Sequence, residues 1–162
     1  MLTQDRLKSQ INYDPSTGVF TWIAKRKGVK TGSECGRISK GHHYREISID
    51  NTLYRAHRLA FLYMDGILPT QDIDHVNRIK HDNSWNNLRL CNKSQNSANT
   101  GLKISNTSGY KGVVWDKNRN KWRVQIRIKG KKTNLGRFDD LNEAILISEK
   151  ALKKEFGEFN LC

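Results

Sequence analysis

Cysteine is scarce and poorly spaced in this chain. Cys35, Cys91 and Cys162 stand far apart. Their odd number and the lack of any CxxC support neither a disulfide framework nor a zinc knuckle. Long apolar runs are missing as well. No stretch approaches the ~20 residues of a membrane span, and the longest apolar segment, Leu59 to Met64, suits a helix core. The opening residues, MLTQDRLKSQ, are polar and carry no signal-peptide apolar region. The expectation is a cytoplasmic chain with reduced thiols and no membrane partner. There is no internal repeat and no low-complexity tract. Acidic residues are few: 16 Asp and Glu stand against 29 Lys and Arg, a net charge of +13 and a pI near 9.9. That balance is the electrostatic footprint of a protein that meets a polyanion.

What is present is 162 residues, 36% of them hydrophobic, with a mean hydropathy of −0.76. Such a chain builds one ordinary domain or two small ones with modest cores. Thr3 to Ile11 reads as a short helix with Thr3 as N-cap. Asp14-Pro15-Ser16-Thr17-Gly18 is a turn cluster, and Val19 to Ile23 a strand. Lys25 to Lys30 is a basic loop. Tyr44 to Asp50 alternates as a strand does, Asp50-Asn51 turns, and Thr52 to Arg55 pairs back. Ala56 to Met64 is apolar at helical spacing, with Gly66 and Pro69 to end it.

The stretch Asp72 to Asn99 carries the chemistry. Asp74 and His75 are adjacent, Asn87 follows twelve positions after the histidine, and Asn96 nine after that. The expected order is a strand ending at Ile73-Asp74-His75, a loop from Val76 to Asn86, a short strand from Asn87 to Leu90, and a helix of about Asn92 to Thr100 bearing Asn96. A carboxylate and a carboxamide oxygen suit a hard cation such as Mg²⁺ (or Mn²⁺) that keeps water and accepts phosphate oxygens. An imidazole with an ordinary pKa of ~6.5 can take a proton from water near neutrality. Asn87 can hold the loop that follows His75 by hydrogen bonds. Arg78, Lys80 and Arg89 add positive charge around this motif and are read as DNA contacts.

These residues resemble the HNH (ββα-metal) endonucleases, specifically the homing type of phage and intron origin. The matching text is Ile73-Asp74-His75, Asp82-Asn83, Asn87-Leu88-Arg89-Leu90 and Ser94-Gln95-Asn96. Upstream, Tyr13-Asp14-Pro15, Thr17-Gly18, Phe20, Trp22 and Ala56-His57-Arg58-Leu59-Ala60 are similar to the N-terminal region of phage members, so the resemblance covers about residues 2–99. It implies His75 as general base, Asp74 and Asn96 as metal ligands, and Asn87 as the residue that orients His75. Many members carry His where Asn96 stands. A neutral Asn oxygen suits Mg²⁺ better than softer ions and does not favour zinc. His57 is expected beneath the hairpin, with the active-site cleft as the alternative. The His42-His43 pair lacks partners for a metal role, and His81 reads as a phosphate neighbour or plain surface in the loop.

Beyond Ser105 to Gly109 the pattern changes, and a domain boundary is placed there. Lys111 to Trp115, Lys121 to Lys129 and Lys132 to Phe138 read as three strands, and Leu141 to Phe156 as a helix with one apolar stripe. Within Lys121 to Lys129, Trp122, Val124, Ile126 and Ile128 face one way; Lys121, Arg123, Gln125, Arg127 and Lys129 face the other. From Gly109 to Arg137 ten Lys and Arg stand against one Asp. Such a face can enter a DNA major groove, where Arg reads guanine and Gln reads adenine. Ser108-Gly109-Tyr110-Lys111-Gly112-Val113, Lys121-Trp122, Ile126, Leu135-Gly136, Phe138 and Glu143-Ala144 resemble the ethylene-response-factor (apetala-two) DNA-binding domain of plants, over about residues 106–159. By position, the resemblance implies that Lys111, Arg123, Gln125, Arg127, Lys132 and Asn134 face DNA. Val114 and Asp116 depart from the family's base-contacting positions. Gly136 is expected to interrupt strand alternation so that Leu135 and Phe138 both reach the core.

The expected fold is α+β. An HNH nuclease domain over residues 1–104, with its ββα-metal core at about 71–100, precedes a small domain over 105–162 of a three-stranded antiparallel sheet on one helix. The expected function is a metal-dependent endonuclease acting on double-stranded DNA, with no small-molecule cofactor, as a monomer or weak dimer in the cytoplasm (that of the host if phage-encoded). The alternative is a non-catalytic DNA-binding regulator that keeps the HNH scaffold. An RNA-binding structural protein is a third class, and it leaves Asp74, His75 and Asn96 unexplained.

Overall fold

A computed structural model describes residues 1–160. The chain divides into two compact units, Met1–Cys91 and Asn92–Cys162. The division falls at the end of the Asn87–Leu90 region, so the SNTSG stretch and the helix that carries Asn96 both lie in the second unit. Among the described residues no helix is long and apolar enough to cross a membrane.

The first unit opens with α1 (Gln4–Gln10), which starts where the Thr3 side chain accepts from the Arg6 amide. The helix stops one residue earlier than its apolar spacing suggests. Ile11 instead begins β1 (Ile11–Asp14), which pairs antiparallel with β2 (Val19–Trp22). Pairing with β2 makes a strand of Ile11 and Asp14, which local propensity put in helix and turn, and of the two residues between them. The Asp14 carboxylate accepts from Ser16 and Thr17 and closes the turn between them. These hydrogen bonds hold the Asp14 pKa below its ordinary value. A second sheet, β3 (Arg37–Ile38), β4 (Arg45–Ile49) and β5 (Thr52–Arg55), runs antiparallel throughout. Asp50 and Asn51 both take positive φ, 47° and 60°, which matches the twist of a two-residue hairpin turn. Helix α2 (Ala56–Asp65) follows directly and ends on Gly66, whose φ of 75° gives a left-handed cap.

Leu7, Ile11, Phe20, Ile47, Ile49, Leu59 and Ala60 are fully buried and bring α1, β1, β2, β4 and α2 into one core. Each large aliphatic or aromatic side chain there contributes on the order of 1.5–3 kcal/mol. Ile73 and Leu88 extend the same core into a two-stranded ribbon, β6 (Asp72–His75) and β7 (Leu88–Cys91). The ribbon is thereby anchored on a rigid body, which is what positions the site. Cys35 and Cys91 are buried thiols. Burial pushes their pKa values up, to about 12 and about 11, so both behave as apolar residues. Cys162 lies outside the described residues.

The second unit contains α3 (Lys93–Ala98), the sheet β8 (Val113–Asp116), β9 (Lys121–Ile128) and β10 (Lys131–Phe138), and α4 (Leu141–Phe156). Strand β9 lies in the middle and all pairings are antiparallel. Helix α4 is capped by Asp140, whose side chain accepts from the Glu143 amide. Its buried face carries Ala144, Ile145, Ser148, Leu152 and Phe156. The register of β10 shifts between Asn134 and Gly136, and Leu135 and Phe138 both pack against the core of Val113, Val124 and Ala144. Gly112 needs to be glycine. Its φ is 73°, and a Cβ there would meet the Ile126 side chain at 2.6 Å and Ser148 Oγ at 2.9 Å.

Candidate active site

The site begins at the end of β6. Register sets Asp74 opposite Arg89 and His75 opposite Leu88. Successive side chains leave a strand on opposite sides. Asp74 accordingly meets Arg89, while His75 turns toward Tyr44 and His57. Both Asp74 and His75 are nearly enclosed, 5% and 4% exposed. Arg89 Nε and Nη2 each reach Asp74 Oδ2 at 2.8 Å. Sequence reading took Arg89 as a DNA contact; the fold sets its guanidinium on Asp74, where it holds the carboxylate in one orientation.

The loop after His75 is closed by hydrogen bonds to Asn87. The Asn77 amide donates to Asn87 Oδ1 at 2.9 Å, and Asn87 Nδ2 donates to the Asp82 carbonyl at 2.8 Å. The Val76 amide donates to the Asn87 carbonyl at 2.9 Å. Asn87 is 8% exposed and ends a 3₁₀ turn, Trp85–Asn87, instead of starting the strand. That turn is what aims its side chain back across the loop. Asp82 accepts from Ser84 N, Ser84 Oγ and Asn77 Nδ2. Burial works to raise the Asp82 pKa, but these hydrogen bonds outweigh it and the net shift is downward.

The N-terminal hairpin braces the same loop. Tyr13 Oη donates to the Asn83 carbonyl at 2.7 Å, and the Trp85 amide donates to the Pro15 carbonyl at 2.8 Å. Gly18, at φ 73°, passes so close that a Cβ would lie 2.2 Å from the Asn83 carbonyl carbon.

Three more residues lie at the site: Tyr44, which no sequence pattern marks, Asn83 of the Asp82-Asn83 motif, and His57, expected beneath the hairpin or in the cleft. The His57 and His75 rings meet edge to face, with centroids 5.2 Å apart at 81°. Tyr44 lies 5.1 Å from His57 and 5.9 Å from His75. His57 therefore occupies both expected places, against the entry to the hairpin and against His75. Burial pushes the His57 pKa down to about 3, helped by the charges of His75, Arg55 and Arg58. Burial also lowers the His75 pKa, opposed by a hydrogen bond to Asn83 and by the Asp74 and Asp82 charges. Nothing in sequence spacing signals the ring contacts, since they join residues thirteen or more positions apart. The Asp82-Asn83 pair within the motif was the one available hint.

Other expected site residues lie as follows. Arg78 and Lys80 are exposed in the β6–β7 loop, Arg78 with a φ of 66°. Asn96 is half-buried on α3 of the second unit, a helix begun by an Asn92–Gln95 capping box. In the β8–β10 sheet, register pairs Gln125 with Asn134, Arg127 with Lys132, and Arg123 with both Val114 and Arg137. Direct partners share a face, so these residues make one polar, cationic surface. Arg137 is bridged to Asp116 at 2.9 Å, which neutralises part of it. Lys111 is half-buried, and its Nζ donates to the Ala98 carbonyl at 2.7 Å, which turns it away from the role expected of it.

Comparison with known proteins adds a family. The family described as HNH endonuclease matches residues 54–98. Protein 3.8 of Escherichia phage T7 is 36% identical over 87 residues, which span 54% of this chain and 71% of that protein. A solved structure described as DNA binding and cleavage by the HNH homing endonuclease I-HmuI aligns over 91% of this chain and 78% of that one, at 19% identity and a TM-score of 0.42. The matched segment holds Asp74, His75, Asn87 and Asn96, and the chain belongs to the HNH endonuclease family.

Proposed function

We propose that this protein is a metal-dependent DNA endonuclease that hydrolyses phosphodiester bonds in duplex DNA, with the nuclease domain over residues 1–104 and a DNA-targeting domain over 105–162. The observation that most supports this reading is the end of β6. There a buried Asp-His pair sits beside a loop tied down through Asn87, inside the segment matched to the family. Water attacks the phosphorus, the bond to the 3′ oxygen breaks, and a 5′ phosphate and a 3′ hydroxyl result.

His75 is the general base. Burial lowers its pKa, which favours the neutral imidazole that accepts a proton from the attacking water. Asn87 keeps the following loop from drifting, and Arg89 fixes the Asp74 carboxylate. Asp74 and Asn96 are the oxygens that would hold Mg²⁺ or Mn²⁺. Their donor set, one carboxylate and one carboxamide, suits a hard ion that retains water. Among the described residues no three His, Cys, Asp or Glu cluster as a metal site. The ion, when bound, supplies charge stabilisation to the phosphate and the departing oxygen. The β8–β10 sheet supplies affinity through Arg123, Gln125, Arg127, Lys132 and Asn134; its likeness to the ethylene-response-factor domain belongs to this proposal.

A second reading, a DNA-binding regulator on an HNH scaffold, draws on one observation: Arg89 already engages Asp74 Oδ2. Supercoiled plasmid incubated with the purified protein separates the two. The nuclease reading expects nicked circles with Mg²⁺, none with a chelator, and 5′-phosphate ends on sequencing. Plasmid shifted in a gel but left intact with Mg²⁺ and with Mn²⁺ assigns the protein to regulation.

A further inference from the structure

Two exposed cations rest on one aromatic ring beside His75. The Arg55 guanidinium carbon lies 4.7 Å from the Tyr44 ring centroid, and Lys80 Nζ lies 5.3 Å from it. The same centroid is 5.9 Å from that of His75. The three residues come from separate segments: Tyr44 just ahead of β4, Arg55 at the end of β5, and Lys80 in the β6–β7 loop. Among the described residues neither Arg55 nor Lys80 is in an ion pair.

A cation on an exposed ring gains about 0.5–1 kcal/mol. That is enough to order a side chain but does nothing to neutralise it. Two like charges gathered on one ring raise the local positive potential. Arg55 is also the N-cap of α2, whose first turn holds no acidic residue and whose start takes no side-chain cap, so the helix end adds to that potential. Glu46 stands opposite Arg55 in the β4–β5 register, and the Asp74 and Asp82 charges act on His75, but among the described residues no carboxylate is in an ion pair with Arg55 or Lys80. Both cations are left open to an anion from outside the chain.

We infer that Arg55 and Lys80, held on the Tyr44 ring, clamp backbone phosphate of the DNA strand being cut, immediately beside His75. Tyr44 is a positioning residue: its ring fixes both cations relative to the imidazole. This rests on the nuclease reading above; it adds Arg55 to the residues that bind substrate and Tyr44 to those that position them.

Nicking of supercoiled plasmid tests it, measured against protein concentration at several salt concentrations for wild type, Arg55→Gln, Lys80→Gln, Tyr44→Leu and, as a control for net charge, Lys153→Gln. Arg55 and Lys80 are exposed, so their variants should unfold at the wild-type temperature. Each should raise the half-saturating concentration far more than it lowers the maximal rate. Each should also flatten the log–log salt slope by about one, so that the wild-type advantage shrinks about threefold between roughly 50 and 200 mM salt. Tyr44→Leu should move the same two readouts in the same direction, and Lys153→Gln should follow wild type. If wild type nicks while Arg55→Gln and Lys80→Gln match Lys153→Gln in both readouts, the clamp is refuted and the nuclease reading stands. Absence of nicking by wild type removes both.

Discussion

Single residues show most clearly what the sequence made legible and what it concealed. Asp74, His75 and Asn87 stood out because three chemically distinct side chains recur in order around a loop, and the fold does bring them to one ribbon edge. Tyr44 did not stand out, and His57 stayed open between hairpin and cleft, because their contacts with His75 are tertiary facts with no local pattern. The hydrogen bonds of Asn87 give a direct expectation. Asn87→Ala leaves the part-buried Asn77 amide and Asp82 carbonyl without this partner, at about 0.5–1.5 kcal/mol each, so the thermal unfolding temperature should fall and single-turnover cutting should slow while DNA binding persists. His57 gives a pH expectation. Its folded pKa, about 3, lies below the ordinary ~6.5 of the unfolded chain. Between those values the unfolded state binds the extra proton, so His57 contributes stability that is present above pH ~6.5 and is lost as pH falls toward ~3. The slope is at most about 1.4 kcal/mol per pH unit. His57→Phe should remove that part of the acid sensitivity, and urea unfolding of both proteins from pH 7 to pH 4 measures it. Parallel stability curves would show that His57 is not buried neutral.

At the scale of elements, α2, the β4–β5 hairpin, the β8–β10 sheet and α4 could be read from apolar spacing and turn residues alone. Strand β1 and the 3₁₀ turn at Trp85–Asn87 could not. The first is short and gets its hydrogen bonds from a partner strand. The second is set by Pro15 and Tyr13 holding the loop from outside. The N-terminal hairpin is therefore part of the active-site support, although none of its residues carries chemistry. Gly18→Ala tests this. The new Cβ would press on the Asn83–Ser84 backbone at 2.2 Å, at a φ of 73°, so it should destabilise the protein by more than ~1 kcal/mol and depress turnover beyond what the stability loss explains. Unchanged turnover at a temperature where the variant remains folded would separate the hairpin from the site.

For the whole molecule, a net charge of +13 says that electrostatics governs the approach to a polyanion, and on the proposed function that polyanion is DNA. If about six phosphates are neutralised, the log–log salt slope of binding should be near −5, and a flat response would contradict the cationic sheet. Arg123→Gln with Arg127→Gln should flatten the slope by about two. The target sequence was not legible, because Val114 and Asp116 depart from the base-contacting positions of the family that residues 106–159 only resemble, and Asp116 is bound to Arg137. The account as a whole turns on His75 acting as a base toward water at a phosphodiester. Single-turnover nicking of plasmid by saturating wild type and His75→Ala, with Mg²⁺ and with binding followed on the same duplex, measures that directly. The prediction is a rate at least ~100-fold lower for His75→Ala at unchanged affinity and salt slope; cutting by His75→Ala at the wild-type rate would contradict it.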